Sequence, residues 1–290
     1  MFFRYTDHMH IQAISSADGI IGIMALDQLP LLAEQLELDL NNQEHQQLAS
    51  QLAVQLMKSL SAESTGVIVS PEFNFPAIIH KANNAGLLLS LEERKTSLDP
   101  LQIPQLAENW GPEHIKNNYG VCKLELYYHP QEPNALKKRQ LAAEIYDYCQ
   151  YLGIDFLLEL KIFAISNEET EEQQQEAKLR AVTEFRTLCD AMAVSPPQDP
   201  LAMVTVTAEL DIPWLYANDS LNYEAYKEGM RAALDSGAVG FVVGHSLWAE
   251  MPDVKQGSLE DAFNFIQTTV RDRLIELRRI AAEKKASNSV

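Results

Sequence analysis

Eight times along its 290 residues the chain repeats one pattern: a short apolar run followed by a stretch whose apolar residues recur every three or four positions. Short apolar runs bounded by turn signals read as strands, and the longer period reads as amphipathic helix. The strand segments are 20–27, 66–72, 87–92, 121–128, 154–163, 190–195, 212–218 and 238–248. After Pro30 a helical pattern runs through Leu48, Leu52, Val54, Leu56 and Met57, and a short helix is expected over 76–84, ending before Gly86. A small helix lies near 114–118, and a strong one runs from 135 to 152, stopped by Gly153. The acidic stretch 168–176 begins a helix that acquires an apolar face only from Ala177 through Leu188. Asp199 and Pro200 read as the cap and first residue of a helix running to Leu210. Tyr223 opens another, closed by Gly237, and a last one covers 259–282. Strict alternation allows little besides a parallel barrel, because each right-handed crossover puts its helix outside and returns the next strand beside the last. The fold expected is α/β, a (β/α)8 TIM barrel forming a single domain over 1–290, with its core at about 15–284 and irregular ends.

Composition supports one core: 46% of the residues are hydrophobic, 22% are charged, and no Gly/Ser linker divides the chain. A formal net charge of −18 repels polyanions, which argues against nucleic acid and anionic membranes as partners and favours a small metabolite. Homo-oligomerisation stays open. Cys122, Cys149 and Cys189 have no metal-ligand spacing, and an odd count fits a reducing compartment, so the expected location is cytoplasmic. No apolar run approaches the roughly 18 residues of a membrane span, and Met1-Phe2-Phe3-Arg4 is not organised like an export signal.

In barrels of this class the reacting groups sit at the C-terminal ends of strands, so the last inward polar residue of each strand is a site candidate. That rule selects Asp27, Glu72, Glu92, Lys123, Glu125, Glu159, Lys161, Asn218 and His245. Lys123 and Glu125 repeat the spacing of Glu159 and Lys161 in reverse order, so on adjacent strands Lys123 can face Glu159 while Glu125 faces Lys161. Lys161 then has two readings: an amine with depressed pKa, suited to imine formation, or the ion-pair partner of Glu125. Asp27 is either a base acting on substrate hydroxyls or a carboxylate fixing the backbone at Gln28. His245 can bind an anion, shuttle protons or hydrogen-bond a carbonyl. His114, His129 and Glu72 have no metal-ligand spacing, and neither metal nor other cofactor is expected.

Several segments carry a resemblance: Ala25-Leu26-Asp27-Gln28, Pro71-Glu72-Phe73, Gly86-Leu87-Leu88-Leu89, 123–130 (KLELYYHP), Phe156-Leu157-Leu158-Glu159 and Gly244-His245-Ser246-Leu247-Trp248. In their order and intervals they resemble the tagatose-bisphosphate aldolases and, more distantly, the sulfofructosephosphate aldolases, both lysine-dependent class I barrels. The resemblance implies proton transfer and substrate contact at Asp27, Lys123 and Glu159. It also implies a Schiff-base lysine on the sixth strand, in Cys189-Asp190-Ala191-Met192-Ala193-Val194-Ser195-Pro196, where this chain has Ala193. Leu29 and His245 stand where that family has arginines, and Asn218-Asp219 where its phosphate loop has serine. Arginine suits bidentate phosphate binding, so these departures weigh against a bisphosphorylated sugar.

Two functions follow. One is an aldolase-like carbon–carbon lyase acting on a small carbonyl or sugar-type metabolite, with Lys161 or Lys123 as amine, Asp27 and Glu159 moving protons, and Gln28, Glu72, Glu125, Asn218 and His245 contacting substrate. The other is a pseudo-aldolase that has lost catalysis and binds, senses or regulates.

Overall fold

Val121, Lys123, Glu125 and Tyr127 alternate along the fourth strand with Cys122, Leu124, Leu126 and Tyr128. Side chains on a strand point alternately to its two faces, so one set lines the barrel interior and the other meets the helices outside. In the computed structural model, which describes residues 11–27, 29–71, 75–93, 99–218, 222–251 and 259–288, this division holds around the barrel. The interior holds Ile23, Ile68, Leu88, Val121, Leu157, Ala193, Leu215 and Val242, closed from below by Ile14 on a 3-10 turn, Gln12–Ile14. The outward set, including Met24, Val69, Cys122, Leu124, Phe156 and Phe241, packs against the helical layer.

The strands are β1 (Ile21–Ala25), β2 (Gly66–Val69), β3 (Gly86–Ser90), β4 (Val121–Tyr128), β5 (Phe156–Ile162), β6 (Ala191–Val194), β7 (Trp214–Ala217) and β8 (Gly240–Val243). All pair in parallel and in chain order, and β8 returns to β1 to close a TIM barrel. The helices are α1 (Leu29–Gln35), α2 (Gln43–Leu60), α3 (Pro112–Asn117), α4 (Ala135–Leu152), α5 (Glu171–Phe185), α6 (Pro200–Glu209), α7 (Tyr223–Asp235), α8 (His245–Trp248), α9 (Leu259–Phe265) and α10 (Arg271–Asn288). Local chemistry sets their ends. The Asn42 side chain accepts from the amides of Glu44 and His45 to start α2, and Thr170 with Gln173 forms a reciprocal capping box at α5. Gly153 ends α4 at φ 69°, a left-handed conformation that costs a glycine little. No described helix is long and apolar enough to cross a membrane.

Four expectations need correction. The eighth strand stops at Val243, and 245–248 is a helical turn instead of strand. Ser246, Leu247 and Trp248 are all buried, the last two in the outer apolar layer, and a short buried apolar run cannot be assigned to strand or helix by periodicity alone. The helix expected over 76–84 is a 3-10 segment, Phe75–His80, as short connectors commonly are. The last helix is interrupted by a π-helical turn, Ile266–Val270, which keeps Ile266 and Val270 both buried, and it continues to Asn288. The helical pattern after Pro30 also divides into α1 and α2.

Closure brings β8 against β1 so tightly that a Cβ on Gly240 would stand 1.8 Å from the Ile21 carbonyl oxygen. Neither backbone can yield without breaking the β1–β8 ladder. Gly240→Ala is expected to destabilise the protein by about 1–3 kcal/mol in urea melts, as overpacking does. A melt indistinguishable from the parent would show that the seam is looser than drawn.

Candidate active site

Strand β4 buries Lys123 completely and aims its ammonium across the interior. Its Nζ lies 2.8 Å from Asp27 Oδ2, 3.0 Å from Glu92 Oε1, 3.0 Å from Glu159 Oε2 and 3.9 Å from Glu125 Oε2. The Asp27 Oδ2 also accepts from the Ser90 hydroxyl at 2.9 Å, and the Trp110 indole N–H donates to the Ser90 carbonyl at 3.0 Å. An ammonium has three N–H donors, and three carboxylates lie within hydrogen-bonding distance of it. That arrangement favours the charged amine, which lacks the lone pair a nucleophile needs.

Lys161 sits one inward position nearer the mouth than Glu159 on β5. Its Nζ is 2.8 Å from Glu125 Oε2, 3.5 Å from Glu159 Oε1 and 5.8 Å from the centre of the Tyr127 ring. The β4–β5 register, with Lys123 beside Leu157, Glu125 beside Glu159 and Tyr127 beside Lys161, generates this lattice directly. The expected facings of Lys123 toward Glu159 and Glu125 toward Lys161 are both present. One difference matters: 26% of the Lys161 side chain is exposed, whereas Lys123 is wholly enclosed.

Ala193 faces the same interior. It pairs in register with Glu159 on one side and Leu215 on the other, is fully buried, and brings only a methyl group. The walls differ accordingly. β4 and β5 carry Lys123, Glu125, Glu159 and Lys161, while the interior positions of β6 to β8 hold Ala191, Ala193, Leu215, Ala217 and Val242.

Other anticipated residues lie apart or outside the described residues. Asn218 is half-buried just past β7, its carbonyl accepting from the Ser246 hydroxyl at 3.4 Å. His245, half-buried, opens α8 after the Gly244 turn and so is not a strand residue. Gln28 and Glu72, together with Asp219 and the Leu29 side chain, fall outside the described residues. His114 is exposed and stacks on Trp110 at 5.4 Å, while His129 is buried beside Glu169. Among the described residues no group of three or more His, Cys, Asp or Glu is arranged to hold a metal. Cys122 and Cys189 are inert, since burial pushes both thiols well above the ordinary range.

Three participants were not assigned a role from the sequence. Glu92 was only a strand-end candidate, yet it lies 3.0 Å from Lys123. Ser90 was not named, although Leu88 and Ser90 occupy inward positions of one strand, and a polar residue in such a place was the available signal. Ser70, buried one residue beyond β2, continues the inward series of Gly66 and Ile68, and its hydroxyl has no hydrogen-bond partner among the described residues.

No protein-family model matches the chain. Tagatose 1,6-diphosphate aldolase 1 of Enterococcus faecalis is 24% identical over 315 aligned positions, covering 96% of this chain and 95% of the relative. Tagatose 1,6-diphosphate aldolase 2 of Streptococcus mutans is 23% identical, covering 97% and 95%. Among solved structures, an archaeal fructose 1,6-bisphosphate aldolase superposes with a TM-score of 0.62 at 16% identity, covering 92% of this chain and 98% of its own. A Schiff-base-forming fructose-1,6-bisphosphate aldolase gives 0.60 at 17%, covering 90% and 96%. Along nearly its whole length, then, the chain is similar in sequence to the tagatose 1,6-diphosphate aldolases and shares the barrel of the Schiff-base-forming fructose bisphosphate aldolases.

Proposed function

We propose that this is a class I aldolase-like barrel whose mouth holds a small carbonyl or sugar-type metabolite without forming an imine on its sixth strand. One observation carries the reading: each mouth position where such a barrel would offer an amine is either apolar or ion-paired. Ala193 has no amine, Lys123 is enclosed by carboxylates, and Lys161 is held by Glu125. Asp27, Glu125 and Glu159 present carboxylate oxygens to ligand hydroxyls, and Lys123 keeps them ionised and oriented. What remains is a polyol-binding wall able to move protons, related to lyases in scaffold and substrate class.

The partial exposure of Lys161 favours a second reading, in which a carbonyl ligand displaces Glu125 and meets a relocated amine. Borohydride trapping separates the two. With dihydroxyacetone phosphate and pyruvate as probes, intact mass is expected to stay at that of the unmodified chain. An adduct lost in Lys161→Met would install the second reading, and an adduct that survives that change would overturn both.

A further inference from the structure

Beside the mouth, between the loops that follow β4 and β5 and the first turns of α5, lies a cavity of about 390 Å³. None of the mouth residues described above lines it. Its floor is His129, which is 2% exposed, against Glu169, whose side chain is 10% exposed. The Gln131 amide donates to His129 Nδ1 at 3.1 Å, so that nitrogen bears no proton and the neutral ring carries its hydrogen on Nε2. Nε2 lies 3.0 Å from Glu169 Oε1, but the N–H is aimed off the line of a hydrogen bond. Glu169 Oε2 is buried and accepts from no group among the described residues. A buried carboxylate oxygen and a buried imidazole N–H therefore both lack a hydrogen-bond partner among the described residues at one cavity wall, a costly arrangement that calls for a ligand supplying the complements.

The other groups in the cavity add acceptors. Arg180 pairs through Nε with Glu184 at 2.9 Å and is more than half exposed, and the capping box uses the Thr170 hydroxyl and the Gln173 side-chain oxygen as acceptors for each other's backbone amides. Glu168 and Glu176 also line the cavity and bring further negative charge. The α5 N-terminus opposes this with roughly half a positive charge, which is less than one carboxylate supplies, and Glu171 and Glu172 in its first turn offset it further. The balance selects a cation. The volume falls at the lower end of the range for small-molecule sites.

We infer that this cavity is a second ligand site, specific for a small amino alcohol or amino sugar. Its ammonium would donate to Glu169 Oε2, and its neighbouring hydroxyl or ether oxygen would accept from His129 Nε2–H. This site is independent of the mouth and of the reaction proposed for it.

Calorimetry with glucosamine, glucose, 1,4-diaminobutane and inorganic phosphate tests it, at an ionic strength of about 0.15 M, where diffuse attraction to an acidic chain is largely screened. Glucosamine is expected to saturate one site at millimolar or lower concentration, with glucose and phosphate silent and the diamine weaker because it lacks the oxygen. Glu169→Gln should weaken glucosamine by roughly tenfold or more, a loss of about 1.4 kcal/mol, with the variant's thermal midpoint confirming that it is folded. Lys161→Met, which alters only the mouth, should leave it unchanged. The inference is overturned if glucosamine does not saturate by about 10 mM, if Glu169→Gln binds it as tightly as the parent, or if Lys161→Met abolishes it. The last result would assign the sugar to the mouth instead.

Discussion

Ala193→Lys is expected to leave cleavage of tagatose or fructose bisphosphate undetectable, several orders of magnitude below the turnover of about one per second or faster that enzymes typically reach. The substituted position is fully buried and lies in register with Glu159. A new amine there has a carboxylate within reach and becomes another ammonium, while the added bulk costs about 1–3 kcal/mol of packing. Coupled triose-phosphate assays on the parent and the variant check this. Turnover near one per second in the parent would refute the proposed function outright. The same rate in the variant alone would show that one methyl-to-amine change separates this barrel from a working lyase.

Lys123→Met should be the most destabilising single change in the mouth, by about 3–5 kcal/mol in denaturant melts, because it strands Asp27, Glu92 and Glu159 without their shared cation. Against a typical total of about 5–15 kcal/mol, that is a large share of the stability. Glu125→Ala should cost far less, about 1 kcal/mol, since Lys161 is a quarter exposed, keeps Glu159 at 3.5 Å, and can take up water. Adding Asp27→Asn and Glu159→Gln to Lys123→Met should recover part of the loss by removing two of the stranded charges. Equal costs for Lys123→Met and Glu125→Ala would mean that the two lysines share one environment, contrary to their burial.

The barrel was legible in the sequence because its evidence is periodic: β4 and α4 could be bounded to the residue from alternation, apolar spacing and Gly153. The paired lattice was legible too, since Lys123/Glu125 and Glu159/Lys161 have spacings that adjacent parallel strands bring together by geometry alone. What periodicity could not deliver was the third dimension of burial. Ser246-Leu247-Trp248 is as buried as a strand but forms a helical turn, and the orphaned contacts of His129 and Glu169 arise from loops that follow two different strands. The differing exposure of Lys123 and Lys161 likewise depends on depth along the barrel axis, which no local pattern records.

The contrast between the charged wall of β4 and β5 and the hydrocarbon wall of β6 to β8 has a stereochemical consequence. A pyranose or ketose ring has an edge crowded with hydroxyls and a face of C–H bonds, and within the strands it can satisfy both only in one orientation. Rotating the ring by half a turn would press hydroxyls against Ala193 and Leu215, where they find no partner, and leave Glu125 and Glu159 facing carbon. On the proposed function, Ala193 therefore belongs to a hydrocarbon wall that would distinguish which face of a sugar is turned toward it.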